Sequence, residues 1–205
     1  MSRSKSSDAW LREHHDDKYV LQARRDGYRS RAVYKLIEIQ QKDQILKPGQ
    51  FVVDLGAAPG GWSEYAAQFI GSKGRLIAVD LLPIDPIAGA EIIQGDFTED
   101  EILDQILNLC QGQKIDLVLS DMAPNLSGMD SVDQPKSMYL AELALELASE
   151  NLAANGQFVT KLFQGEGFDS YKSSLQKTFK SLKLRKPDAS RPRSREVYAV
   201  CSGLR

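Results

Sequence analysis

The chain has 205 residues, 42% of them hydrophobic, with 26 Lys/Arg against 28 Asp/Glu and two cysteines. That length suits one domain with a sizeable core, and no uninterrupted apolar segment is long enough to span a bilayer. Cys110 and Cys201 lack C-x-x-C spacing and the first residues, Met1-Ser2-Arg3-Ser4-Lys5-Ser6-Ser7, lack a signal-peptide core, so neither a disulfide framework, a zinc site nor secretion is indicated. A soluble, cytoplasmic protein is expected.

Residues 1–29 read as a basic N-terminal arm, part of it flexible. His14 and His15 are adjacent, about 100° apart on a helix, which is poor metal geometry; they read as solvated or RNA-facing, and no metal is expected. The arm belongs to an uneven charge distribution: nine Lys/Arg against five Asp/Glu over residues 1–35, seven against twenty-one over 36–171, and ten against two over 172–205. Basic ends around an acidic middle suit termini that meet beside the active face to hold a polyanion, while solvated tails are the plain alternative. Texture favours the polyanion. Tyr19, Tyr28 and Tyr34 alternate with Arg24, Arg25, Arg29 and Arg31, a pattern in which arginines and rings for stacking suit RNA.

Ser30 to about Gln44 predicts a helix, with Ala32, Val33, Leu36 and Ile37 near the 3.6 period and Lys47-Pro48-Gly49 as its stop. The first strand follows at Phe51 to Leu55. It runs into Asp54-Leu55-Gly56-Ala57-Ala58-Pro59-Gly60-Gly61-Trp62-Ser63, a glycine turn that opens a helix and so presents unpaired N–H groups to a ligand. Dinucleotide turns use G-x-G-x-x-G, and Ala58-Pro59 breaks that spacing while removing a donor. The turn resembles instead the D-x-G-x-x-P-G-G motif I of S-adenosylmethionine-dependent methyltransferases.

Further strands are predicted at Arg75 to Val79, more weakly at Glu91 to Ile93, then at Ile115 to Ser120 and Gln157 to Leu162, with two late ones at Leu182 to Arg185 and Val197 to Cys201. The clearest later helix spans Met138 to Ala154, with Leu140, Leu143, Ala144, Leu147 and Asn151 on one face and Asn155-Gly156 as its stop. The alternation implies a three-layer α/β sandwich. Asp54, Asp80, Asp121 and Lys161 fall at or just beyond carboxyl ends of predicted parallel strands, which share one ligand-binding edge of such a sheet. Asp80 suits ribose hydroxyls and Asp96 an adenine amino group, against a simple Gly-Asp turn at the latter. Lys161 interrupts the apolar run Phe158 to Phe163, where a lysine needs a partner or a wet cleft.

Five stretches then carry a resemblance along almost the whole chain: Tyr28-Arg29-Ser30-Arg31-Ala32-Val33-Tyr34-Lys35-Leu36, the turn from Asp54 to Trp62, Ser120-Asp121-Met122-Ala123-Pro124-Asn125, Lys161-Leu162-Phe163-Gln164-Gly165, and Arg191-Pro192-Arg193-Ser194-Arg195-Glu196-Val197-Tyr198. The chain resembles the FtsJ/RrmJ-type (RlmE) bacterial ribosomal RNA 2′-O-ribose methyltransferases. The resemblance implies a Rossmann-like S-adenosylmethionine-dependent methyltransferase fold over 1–205, with about seven mostly parallel strands and helices on both faces. It also implies a Lys-Asp-Lys-Glu tetrad at Lys35, Asp121, Lys161 and Glu196. Gly60, Trp62, Asp80, Asp96 and Asp121 line the methyl-donor site, and Asp54, Gly56 and Pro59 of the turn are assigned to cofactor binding with them. The implied substrate is 23S rRNA within the 50S subunit, at a uridine of the A-loop, and the protein is expected to act as a monomer.

A ribose hydroxyl is a poor nucleophile that must be positioned and deprotonated. Lys161 is the expected base. Burial and Lys35 favour its neutral amine, whereas Asp121 and Glu196 favour the ammonium, so a charged Lys161 that orients the hydroxyl is the companion reading. Alternatives are 2′-O-methylation of a tRNA anticodon loop or an mRNA cap, and a non-catalytic ribosome-assembly factor. Pro59 opposes a nicotinamide enzyme.

Overall fold

The computed structural model describes residues 17–125 and 127–205; His14 and His15 lie outside them. The strands are β1 (Phe51–Leu55), β2 (Arg75–Asp80), β3 (Ala90–Gln94), β4 (Ile115–Ser120), β5 (Leu152–Phe163), β6 (Phe179–Arg185) and β7 (Glu196–Leu204). They form one sheet in the order β3-β2-β1-β4-β5-β7-β6. β1 to β5 pair in parallel, and β7 runs antiparallel to both β5 and β6. Chain order reverses at β1, so the connections leaving β1 and β4 diverge and open a crevice at the carboxyl edge.

The helices are α1 (Lys18–Asp26), α2 (Val33–Asp43), α3 (Gly61–Ile70), α4 (Asp100–Cys110), α5 (Asp130–Asn151) and α6 (Phe168–Thr178). All five residues of β1 are buried, which is why it reads as a continuous apolar run. Phe51, Val53 and Leu55 pack with Ile106 of α4, Leu147 of α5 and Leu175 of α6. Val52 packs on the opposite face with Leu36 and Ile39 of α2 and with Trp62 and Ala66 of α3. Each large aliphatic side chain so buried stabilises the fold by about 1.5–3 kcal/mol. The expected three-layer sandwich is what forms, and α1, inside the basic arm, docks through Val20 and Ala23.

Two boundaries move. The helix predicted from Ser30 starts at Val33 and ends where Gln44 adopts a left-handed conformation, φ 49°, ahead of Lys47-Pro48-Gly49. The helix predicted over Met138 to Ala154 forms over Asp130–Asn151 instead, with Pro135 in its second turn and Asp133 accepting hydrogen bonds from the Ser127 and Gly128 N–H groups. Its inward face is Met138, Ala141, Ala144, Leu147 and Ala148, and the three alanines let the helix sit close to the sheet. Leu152 already pairs with Ile115, so Asn155-Gly156 belongs to β5, at a register shift, and is no helix stop. Among the described residues no helix is long and apolar enough to cross a membrane, and no three His, Cys, Asp or Glu side chains cluster as a metal site.

Candidate active site

The turn after β1 is tied to its neighbour strand by backbone. Gly56 and Ala57 donate to the Val79 carbonyl at 2.9 and 3.1 Å, and Ala58 donates to Asp80 Oδ2 at 2.8 Å. Gly56 adopts φ 77°, and a Cβ there would lie 2.8 Å from the Met122 nitrogen, so only glycine fits where the turn meets the exit of β4. From that exit Asp121 donates its N–H to the Leu55 carbonyl. A cleft of roughly 550 Å³ opens along this edge, lined by Gly56, Asp80, Asp96 and Asp121 together with Leu82 and Phe97.

Four of the expected donor-site residues do not line the cleft. Asp54 is fully buried and accepts from Ser63 Oγ at 2.6 Å, while its other oxygen has no partner. Burial, reinforced by the Asp121 and Asp80 carboxylates and only partly countered by Ser63, pushes its carboxyl up to about 7. The Asp54 side chain thus joins β1 to the first turn of α3 and does not reach the cleft, since its strand position points it under α3. Pro59 is exposed, and Gly60, with φ 104°, packs against Ile84, Ile87 and Arg29. Trp62 is buried between the two sites, donating Nε1–H to the Ala32 carbonyl and resting on the Tyr198 ring.

The four tetrad residues do meet. Pairing of β5 with β7 sets Lys161 opposite Tyr198 and Phe163 opposite Glu196, so all four share the face covered by α2. Lys161 Nζ lies 3.0 Å from Asp121 Oδ1 and donates to the Asp121 carbonyl at 2.5 Å. Lys35 Nζ lies 2.8 Å from Glu196 Oε1. Burial alone would raise the Asp121 carboxyl, but Lys161, Lys35 and the Tyr198 hydroxyl outweigh it and hold the group below the ordinary range. Burial likewise opposes ionisation of Glu196, and Lys35, with help from Ser190 and Lys161, more than offsets it. Beside these pairs lies a second cavity of roughly 600 Å³, walled by Lys35, Lys161, Phe163, Glu196, Arg31 and Arg191. Ala123 borders both cavities.

Sequence reasoning missed Tyr198, whose hydroxyl donates to Asp121 Oδ1 at 2.7 Å. Its signal was present: two positions after Glu196, it shares a strand face with it. The tyrosines read as available for stacking need correction. Tyr34 is buried with its hydroxyl on Asp26, and the Tyr19 and Tyr28 ring centroids lie 5.5 and 5.7 Å from its own, so the rings serve the packing of α1 on α2.

A model of the FtsJ-like methyltransferase family matches residues 28–204. The chain belongs to the FtsJ-like methyltransferases. It is 57% identical over its full length to ribosomal RNA large subunit methyltransferase E of Marinobacter nauticus, covering 99% of that protein. Against the protein of the same name from Hahella chejuensis the identity is 58%, with both chains covered completely. A crystal structure from Plasmodium falciparum described as that of a putative ribosomal RNA methyltransferase superposes with a TM-score of 0.76 at 28% identity, covering 86% of this chain and 98% of that one. In this FtsJ-like methyltransferase the cleft and the tetrad cavity adjoin at the sheet's carboxyl edge, where Ala123 borders both.

Proposed function

We propose that this FtsJ-like methyltransferase methylates the 2′-hydroxyl of a uridine in the A-loop of 23S rRNA, acting as a monomer on the 50S subunit with S-adenosylmethionine as donor. The observation that carries the reading is the tetrad: two lysines and two carboxylates meet where two cavities adjoin, Lys35, Lys161 and Glu196 on the wall of one, Asp121 on the wall of the donor cleft, and Ala123 bordering both. The cleft's donor set fits the cofactor. Asp80 and Asp96 offer carboxylates to ribose and adenine donors, and Leu82 and Phe97 offer an apolar slot to a flat base. S-adenosylmethionine supplies a methyl group activated on a sulfonium. Gly56, Asp80, Asp96 and Asp121 would hold it, with Asp54, Pro59, Gly60 and Trp62 shaping the turn.

Lys161, buried and fixed by Asp121, holds the hydroxyl oxygen and takes up its proton or stabilises the developing negative charge. Glu196 keeps Lys35 in place as the second cation beside that oxygen. Arg31 and Arg191 on the cavity wall suit the phosphates on either side of the target nucleotide.

The test is tritiated methyl transfer to 50S particles, free 23S rRNA and tRNA, with the modified nucleotide mapped. The 50S A-loop uridine is expected to be labelled, Lys161→Ala is expected to lose transfer while still binding cofactor, and labelling of tRNA alone would overturn the assignment.

A further inference from the structure

We infer that Arg29 is a positioning residue of the donor cleft and not a contact to RNA. The inference rests on the cofactor reading of that cleft. Arg29 precedes α2 in a basic, tyrosine-rich stretch, yet its guanidinium turns toward the glycine turn. Nη1 donates to the Asp85 carbonyl at 2.7 Å and, at a longer 3.5 Å, to the Pro59 carbonyl. Nη2 donates to the Pro86 carbonyl at 2.9 Å, and Nε lies 3.5 Å from Glu64 Oε1 in the first turn of α3.

These partners belong to two separate segments. Pro59 and Glu64 lie in the turn and helix that follow β1, whereas Asp85 and Pro86 lie in the connection between β2 and β3. That connection begins with Leu81 and Leu82, which stay more than half exposed and line the donor cleft. The turn enters the cleft lining at Gly56 and Ala58 and the connection at Leu81 and Leu82, while the Arg29 partners lie just beyond that lining. At their junction a Cβ on Gly60 would lie 3.1 Å from Arg29 Nη1 and 3.0 Å from Ile87 Cδ1, so turn, guanidinium and connection are in direct contact. A planar fork with five donors can serve several carbonyls and a carboxylate at once; an ammonium on a flexible stem cannot. Arg29 therefore ties together the two segments whose nearer ends line the cleft, and so holds their relative position, while Arg31, two residues on, lines the acceptor cavity.

Binding of S-adenosylhomocysteine by calorimetry, and of an A-loop fragment of 23S rRNA by fluorescence anisotropy, tests this in the full chain. Arg29→Ala is expected to weaken S-adenosylhomocysteine about ten-fold and to raise KM for the methyl donor, with RNA affinity unchanged. Arg29→Lys keeps the charge and the methylene stem, so its fold is secure, and it is expected not to restore binding. Unchanged S-adenosylhomocysteine affinity in Arg29→Ala, full rescue by Arg29→Lys, or a loss confined to RNA would each overturn the inference. A wild-type chain that failed to bind S-adenosylhomocysteine would overturn the cofactor reading and this inference with it.

Discussion

Lys161 and Tyr198 face each other across the β5–β7 pair and approach the same atom, Asp121 Oδ1, at 3.0 and 2.7 Å. A single carboxylate oxygen is thus fixed by one cation and one neutral donor, and the Tyr198 ring is itself held between Trp62 and Lys35. Tyr198→Phe removes the neutral donor and leaves the ring. Hydrogen bonds to charged groups contribute about 1.5–3 kcal/mol, so kcat is expected to fall about ten-fold or more with S-adenosylhomocysteine affinity retained. An unchanged kcat would mean that Lys161 orients Asp121 alone.

Asp54 makes stability depend on pH in the direction opposite to a carboxylate held below its ordinary range, such as Asp121. Its carboxyl titrates at about 7 in the folded chain against an ordinary value of 3.8. Between these values the native state keeps a proton that the unfolded chain has released, so this contribution falls as pH rises from about 4 to about 7 and is level above that. Its full size is of order 4 kcal/mol at most. Asp54→Asn cannot ionise and keeps a partner for Ser63, so its Tm is expected to gain on the wild type from pH 5 to about pH 7 and to level off above that. Parallel Tm curves would contradict the burial argument.

Gly56→Ala combines a left-handed backbone, which strains an alanine by about 1–2 kcal/mol, with a Cβ directed at the backbone of Met122. Backbone cannot rotate away as a side chain can, so either the turn or the exit of β4 must shift. We expect a lower Tm and a roughly ten-fold loss of S-adenosylhomocysteine affinity, since a shift of about 1 Å is enough to misalign a site. Calorimetry at a temperature well below the melting transition separates the two effects.

Much of the site was legible because strand ends leave local marks. Asp54, Asp80 and Asp121 each close or follow an apolar run, and Lys161 is conspicuous because a cation inside such a run needs a partner. Tyr198 carries only a faint mark, the strand face it shares with Glu196: a tyrosine in a strand otherwise reads as core, and its hydroxyl acquires a role through the antiparallel pairing that sets it against Lys161. The start of α5 was hidden for another reason. Asp130 to Ser137 lacks an apolar period and contains Pro135, and the helix holds there because Asp133 accepts from the Ser127 and Gly128 N–H groups and Gln134 donates to the Phe163 and Glu166 carbonyls, far along the chain.

By itself the sequence determined the layered α/β architecture, the strand that ends in a glycine turn, and the residue types gathered at its carboxyl edge. Hydrophobic period and turn chemistry act over a few residues, so they can be read without knowing what folds against them. Tertiary structure alone decided the division of labour: Asp54, Pro59, Gly60 and Trp62 off the cleft lining, Arg29 between the glycine turn and the β2–β3 connection, and Tyr198 on Asp121. Those assignments depend on strand register and on loops meeting across the sheet edge, relations between residues far apart in sequence that no local pattern encodes.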